Sequence, residues 1–459
     1  MDQIPQPHSI QSEIKNSISL SVPMITAQLI YASSSFLGTA MIARLGKDAL
    51  AASVLISLIW LSLSVLFFGI LNAVSVLVAH QHGARNNKAI SDIMGQSFIL
   101  GAVLSVLIIL SLSTMPLFIT WSGQPEHVLK YANQYMYSLL WMIPGLALLN
   151  ICEQFLIGIG RTRMVLRISM LVVPIEIPLI YMFIFGKCGS PEFGVAGVGY
   201  GFAVTYTTTA VFLIWYLAKA NAYQKFQIFN GITRIKMRYL KELIRIGLPM
   251  GCMQLIEVSA FAFATFYIAQ FGTSMLAAHQ IVMQYLGFAI TIVFAMSQAV
   301  TVRVGHAVGR QDLVGVKYAV YVGMLLNFFF VMIIALSFYF MPNFYLSLDL
   351  SMHDPANALL IKHSTELLSI CAVLFLFDNF RIIGYGALRA LKDTYFSMYA
   401  SFIGLWIVGV SLGYVFGFVF HYQGAGVWWA LTLGIATAAL MVFARLQFLL
   451  KRVDLTKLL

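Results

Sequence analysis

The constraint that most limits how this chain can fold is that it contains itself twice: residues 18 to 85 lie on residues 244 to 311 without a gap, every pair 226 positions apart. Pro23 and Met24 match Pro249 and Met250, and Gln28-Leu29-Ile30 matches Gln254-Leu255-Ile256. Further on, Thr39, Ile42, Ala43 and Gly46 match Thr265, Ile268, Ala269 and Gly272, and His80 and Gly83 match His306 and Gly309. Duplicated membrane units are an architecture of transporters, in which the substrate is handled between the halves. One mismatch interrupts the register: Tyr31 of the first copy stands where the second has Glu257.

That the units are membrane units follows from composition. With 60% hydrophobic and 10% charged residues and a mean hydropathy of +0.87, 459 residues have too little polar surface for a soluble fold. A span needs roughly 20 mostly apolar residues. Six such runs lie near 18–43, 50–79, 93–119, 133–157, 165–186 and 194–218, and six more near 243–270, 275–305, 315–341, 359–387, 396–420 and 424–449. An even number per copy starts both halves on the same side. The fold expected is therefore all-α and polytopic, with twelve transmembrane helices in two parallel six-helix repeats. The expected divisions are 1–218 for the first lobe, 219–242 for a cytoplasmic linker and 243–459 for the second lobe. The linker reads equally as an interfacial helix or a solvated connection.

Basic residues collect at alternate connections, among them Arg85 and Lys88, Arg161 and Arg163, Lys225 to Lys241, Arg310 and Lys317, Arg389 and Lys392, and Lys451 to Lys457. The positive-inside rule makes those connections cytoplasmic and puts both termini inside. This topology accounts for the net charge of +11, which gives no reason to invoke nucleic acid. The polar start of the chain does not read as a cleavable signal peptide. Cys152, Cys188, Cys252 and Cys371 have neither CxxC spacing nor clustering, so no metal or redox centre and no resident cofactor is expected from them.

Ionisable side chains inside apolar spans carry the functional signal, since insertion scales set a charge at bilayer depth at a cost of roughly 2.5 to 3.5 kcal/mol. Three acids stand out: Glu257 in MQLIEVSAFAF, Asp378 in AVLFLFDNFRIIGYGALR and Glu176 in LVVPIEIPLIY. Buried carboxyls of this kind take up protons or, ionised, ligate a small hard cation, and composition does not choose between H⁺ and Na⁺. Each has a bland reading beside the sharp one. Glu257 has no basic neighbour on its own helix face. Asp378 has Arg381 three residues on, a spacing that also makes a static salt bridge. Glu176 lies between Pro174 and Pro178, which bend or break a helix, and it could serve the freed backbone. Gln28 and Gln254 suit interhelical hydrogen bonding as well as a substrate cavity. Aromatic and thioether side chains suit flat organic cations, and Tyr31, Met253 and Phe377 are candidates because they lie opposite or beside the acids.

The run GLPMGCMQLIEVSAFAFATFYIAQFGTSMLAAHQI, the run AMSQAVTVRVGHAVGRQD and the later FDNFRIIGYGALRALKDT resemble the multidrug and toxic compound extrusion (MATE) family. So do FLIGIGRTRMVL and EIPLIYMFIFGKCGSPEFGVAGVGYG in the first half, closest to the NorM-like bacterial branch. The resemblance implies multidrug efflux of organic cations from the inner (plasma) membrane by antiport against Na⁺ or H⁺, with Glu257 and Asp378 matching the family's seventh- and tenth-helix acids. Na⁺ would bind at those two. The chain departs from the pattern where NorM-like members carry a first-helix aspartate, here Gly38, and where they carry a fifth-helix asparagine, here Glu176. The two departures suggest that Glu176 restores the carboxylate missing at Gly38. The partners expected are small organic cations and membrane lipids, for a monomer that is not an enzyme. A lipid-linked precursor or polysaccharide flippase would call for several intramembrane arginines, where only Arg381 is clear. A membrane enzyme would call for HExxH, DDxxD or GxSxG, which are missing.

Overall fold

The structure, a computed structural model, describes residues 9–120, 125–233, 235–352 and 354–458. Among these residues all regular structure is helical, and the helices follow the apolar runs. In the first half they are α1 (Ile10–Ala43), α2 (Lys47–Leu71), α3 (Ala73–Gly83), α4 (Asn87–Thr120), α5 (Glu126–Leu140), α6 (Met142–Gly158), α7 (Thr162–Phe185) and α8 (Ala196–Lys219). A short α9 (Asn221–Gln224) opens the connection to the second half. There α10 (Met237–Ala269), α11 (Thr273–Gly309), α12 (Leu313–Phe340), α13 (Pro342–Asp349), α14 (Ala358–Ala390), α15 (Thr394–Ser401), α16 (Ser411–Tyr414) and α17 (Gln423–Arg452) follow. Eleven stretches among the described residues are long and apolar enough to cross a membrane, with α2 and α3 forming one of them. The pair α5 and α6, bent by 43° at Trp141, makes the twelfth. The expected spans are thus present.

The duplication reaches the turns. The connection after α1 turns at Gly46 (φ 112°) and the one after α10 at Gly272 (φ 101°), repeat-matched positions in a region that only glycine enters without strain. Asn86 caps α4 by accepting the Ala89 N–H at 3.1 Å, and Asp312, 226 residues on, caps α12 by accepting the Gly315 N–H at 2.8 Å. Of the bend or break that Pro174 and Pro178 suggest, there is no break: α7 runs continuously from Thr162 to Phe185 through both prolines.

The chain forms two compact units, one of residues 22–248 and one of residues up to Ser21 together with 249–459. Both divisions fall inside continuous helices, beside the matched prolines Pro23 in α1 and Pro249 in α10. In the second unit α14 is central, packing on α11, α12 and α17 over a core that includes Ile268, Leu286, Phe375 and Trp428. Buried His279 is fully satisfied there. The Trp428 indole N–H donates to its Nδ1 at 3.2 Å, which leaves the proton on Nε2, 2.8 Å from Thr265 Oγ1. The start of α1 is held in the same unit by Glu13, whose carboxylate takes both Nε, at 2.8 Å, and Nη2 of Arg303.

In the first unit, the stretch between α8 and α10 is neither a free interfacial helix nor a solvated linker. It lies as a strap on α4. Ser91 Oγ donates to the Gln227 carbonyl at 2.6 Å, Phe229 stacks on Phe98, and Lys236 Nζ meets Asp92 at 2.5 Å. The closest approach is backbone to backbone, since a Cβ on Gly231 would stand 2.1 Å from the Ser91 carbonyl oxygen.

Candidate functional site

Each unit buries its own acid cluster, and the repeat explains where. In the second unit Glu257 projects from α10, and Asp378 and Arg381 project one turn apart from α14. The Arg381 guanidinium is shared: Nε lies 2.7 Å and Nη2 2.6 Å from Asp378 Oδ1, and Nη1 is bonded to Glu257 Oε1. All three are withdrawn from solvent, with side-chain exposures of 2% for Arg381, 1% for Asp378 and 12% for Glu257. The partner that sequence spacing gave to Asp378 alone therefore serves both acids. Asp378 Oδ2 is buried with no hydrogen-bond partner. Arg381 also sits over the Tyr385 ring, 5.2 Å from its centroid. Beside the cluster, Asn327 Nδ2 donates to Asn379 Oδ1, both residues being fully buried.

The first unit joins the corresponding helices with different chemistry. Tyr31 of α1, the residue opposite Glu257 in the repeat, donates its hydroxyl to Glu153 of α6 at 2.8 Å. At the same offset of 226, Glu153 matches Asn379, one residue from Asp378. In both units, then, the first span of the half reaches the fourth at the same level. The acid sits on the fourth span in one unit, and on both spans in the other with a guanidinium between. Nearby, Glu176 of α7 is 1% exposed and accepts the hydroxyl proton of Ser34, again from α1, while its Oε2 has no partner. Tyr206 of α8 stands near both acids. No basic side chain bonds Glu153 or Glu176 among the described residues.

Glu153 is the residue that reading the sequence missed. Its run, NICEQFL, is locally polar, with Asn150, Cys152 and Gln154 around it, so the acid does not stand out as Glu176 and Glu257 do. The usable signal was the repeat, which brings it level with Asp378. Gly38 lies one turn beyond Ser34 on α1, and no atom falls within 4 Å of where its Cβ would be. Of the remaining candidates, Met253 is buried, Gln28 and Gln254 are half-buried with Gln254 Oε1 unpartnered, and Phe377 turns outward at 40% exposure.

Among the described residues, twelve apolar spans in two repeats, counting the bent α5–α6 pair as one and with carboxyls buried at matched levels, define a duplicated multi-pass membrane protein of the transporter kind. The family model MatE matches residues 23–182 and 249–415, and the chain belongs to that family. It is 31% identical over 428 residues to the probable multidrug resistance protein NorM of Pseudomonas aeruginosa, covering 93% of this chain and 88% of that one. With the multidrug resistance protein NorM of Burkholderia vietnamiensis it shares 31% identity over 440 residues, 95% and 94% of the two chains. Solved structures share the fold. One is an outward-facing multidrug resistance MATE family transporter of the MOP superfamily (TM-score 0.87, 20% identity, 99% of this chain and 100% of that one). Another is the Vibrio cholerae MATE transporter VcmN in its bent form (TM-score 0.87, 19% identity, 96% and 98%).

Proposed function

We propose that this chain exports small organic cations through the plasma membrane by antiport against H⁺ or Na⁺, working by alternating access with both termini in the cytoplasm. One observation carries the reading. The Arg381 guanidinium is divided between two carboxyls, so with both acids ionised the bonded trio is one positive charge short. Buried charge without a partner costs several kcal/mol, and a proton or a monovalent cation makes up the deficit. An organic cation drawn to the same acids competes with that ion, and binding of each then weakens the other by the same factor. Two states that differ in how well they hold the deficit convert this competition into exchange. The Glu153 and Glu176 pair, which has no bonded arginine, contributes a second place for protons or cations in the first unit. The names of the NorM relatives support the multidrug substrate class.

The test is efflux of ethidium from proteoliposomes under separately imposed Na⁺ and pH gradients. The wild-type protein is expected to respond to at least one gradient, and Glu257→Gln to neither. A Glu257→Gln protein that follows the gradients as the wild type does would overturn the assignment.

A further inference from the structure

The eleventh span is not an ordinary helix. Between α15 and α16, Phe402–Val410 forms a π-helix, and Val415–Val419 forms a second. Nine consecutive π-helical residues are rare, and π segments are frequent at functional sites. The sequence gives this one a packing reason. Gly404, Gly409, Gly413 and Gly417 are spaced five, four and four apart. In an α-helix five residues overshoot a full turn by about 140°, which would point Gly404 and Gly409 in different directions. The wider π turn returns them to one face, and there all four meet α17. A Cβ on Gly404 would lie 2.5 Å from the Gly434 carbonyl, one on Gly409 would touch Leu431, and ones on Gly413 and Gly417 would touch Val427.

The same widening sets a second pair of residues five apart, Ser401 and Trp406, and both reach toward the Glu257–Arg381 ion pair. Ser401 Oγ is 2.6 Å from the hydroxyl of Tyr385, whose ring lies under the Arg381 guanidinium. The Trp406 indole N–H is shared between the Ile256 carbonyl and Ser259 Oγ, at 3.3 Å to each, and Ile256 immediately precedes Glu257 in α10. Phe263 packs against the indole at 5.2 Å between centroids and fixes its orientation. We infer that the π-helical stretch clamps the ion pair from both ends, making Trp406 a positioning residue for Glu257 and Ser401 a positioning residue for Arg381.

The inference rests on the coupling role proposed for Glu257, and the two can fail separately. Ethidium efflux from proteoliposomes is measured as a function of the driving ion, giving a half-maximal concentration and a maximal rate. Trp406→Phe keeps the ring and removes the N–H. It is expected to move the half-maximal concentration by about threefold to tenfold, the size of one ordinary hydrogen bond, with the maximal rate retained. Ser401→Ala is expected to do the same and Ser401→Thr to restore the wild-type value. Combined with Glu257→Gln, Trp406→Phe should leave the residual, ion-independent efflux unchanged. Trp406→Phe indistinguishable from wild type while Glu257→Gln abolishes ion dependence overturns the clamp alone. Trp406→Phe that lowers the residual, ion-independent efflux of Glu257→Gln also overturns it, since it then acts apart from Glu257. Normal ion dependence in Glu257→Gln overturns the coupling role and the clamp with it. Thermal midpoints in detergent identify any variant whose defect is in folding.

Discussion

Replacing Arg381 by methionine tests the electrostatics of the second unit directly. The substitution keeps a long flexible side chain and removes the one positive charge that, among the described residues, is bonded to Glu257 and Asp378. Water offers little compensation, because the three side chains are 2%, 12% and 1% exposed. Removing one partner from a buried ion pair costs about 3 to 5 kcal/mol, most of it the penalty of the charge left behind. Here two carboxyls are left, so the upper part of that range is expected. For a unit of this size the loss corresponds to a fall of roughly 10 °C in thermal midpoint. The penalty belongs to the charges and not to the volume, so Arg381→Met/Glu257→Gln/Asp378→Asn, which removes all three together, should recover most of the loss while remaining inactive in transport. Fluorescence-detected size exclusion after heating detergent-solubilised protein reads both variants. Arg381→Met as stable as wild type, or a triple variant as unstable as the single one, would refute the reasoning.

Three further outcomes are expected. Glu176→Gln should impair ion-driven efflux, and adding Gly38→Asp should regain part of it, since the space beside Gly38 admits the side chain one turn from the Ser34 that bonds Glu176; full efflux in the single variant would remove Glu176 from the mechanism. Gly231→Ala places a methyl 2.1 Å from the Ser91 carbonyl and should lift the strap off α4, freeing the backbone around the already exposed Lys225 so that trypsin cuts there faster in membranes, whereas unchanged cleavage would show that the strap yields without detaching. His279→Ala leaves the Trp428 N–H unpaired and opens a cavity among α10, α11 and α17, for a loss of about 2 to 4 kcal/mol, read as a lower thermal midpoint with the ion dependence of efflux unchanged.

Much of the fold was legible because it is dictated by period and solvent. Apolar runs of spanning length leave a backbone no choice but helix in a membrane, and the offset of 226 carried the register through spans, caps and glycine turns alike. The acids Glu176, Glu257 and Asp378 were legible because charge among leucines and phenylalanines is expensive. What one helix cannot report is its neighbour. Glu257 has no base on its own face, and its partner Arg381 comes from α14. Glu153 hid in a polar stretch and became visible only with Tyr31 bonded to it. The π-helix was hidden in an apolar run that reads as an ordinary span, with the five-residue step between Gly404 and Gly409 as its one trace. The strap was misjudged for a related reason: polarity is a guide to solvation, but the contact of Gly95 with Gly231 depends on backbones approaching where neither residue has a side chain.

The placement of the unit boundaries inside α1 and α10 bears on how such a chain could arise. The opening turns of α1, up to Ser21, group with the second half of the chain, and those of α10, up to Leu248, group with the first. A lone copy would be missing a piece, yet two identical copies would each supply what the other lacks. Fusion of a duplicated gene would then preserve a reciprocal exchange of arms, and the prolines at 23 and 249 mark where each arm is handed over.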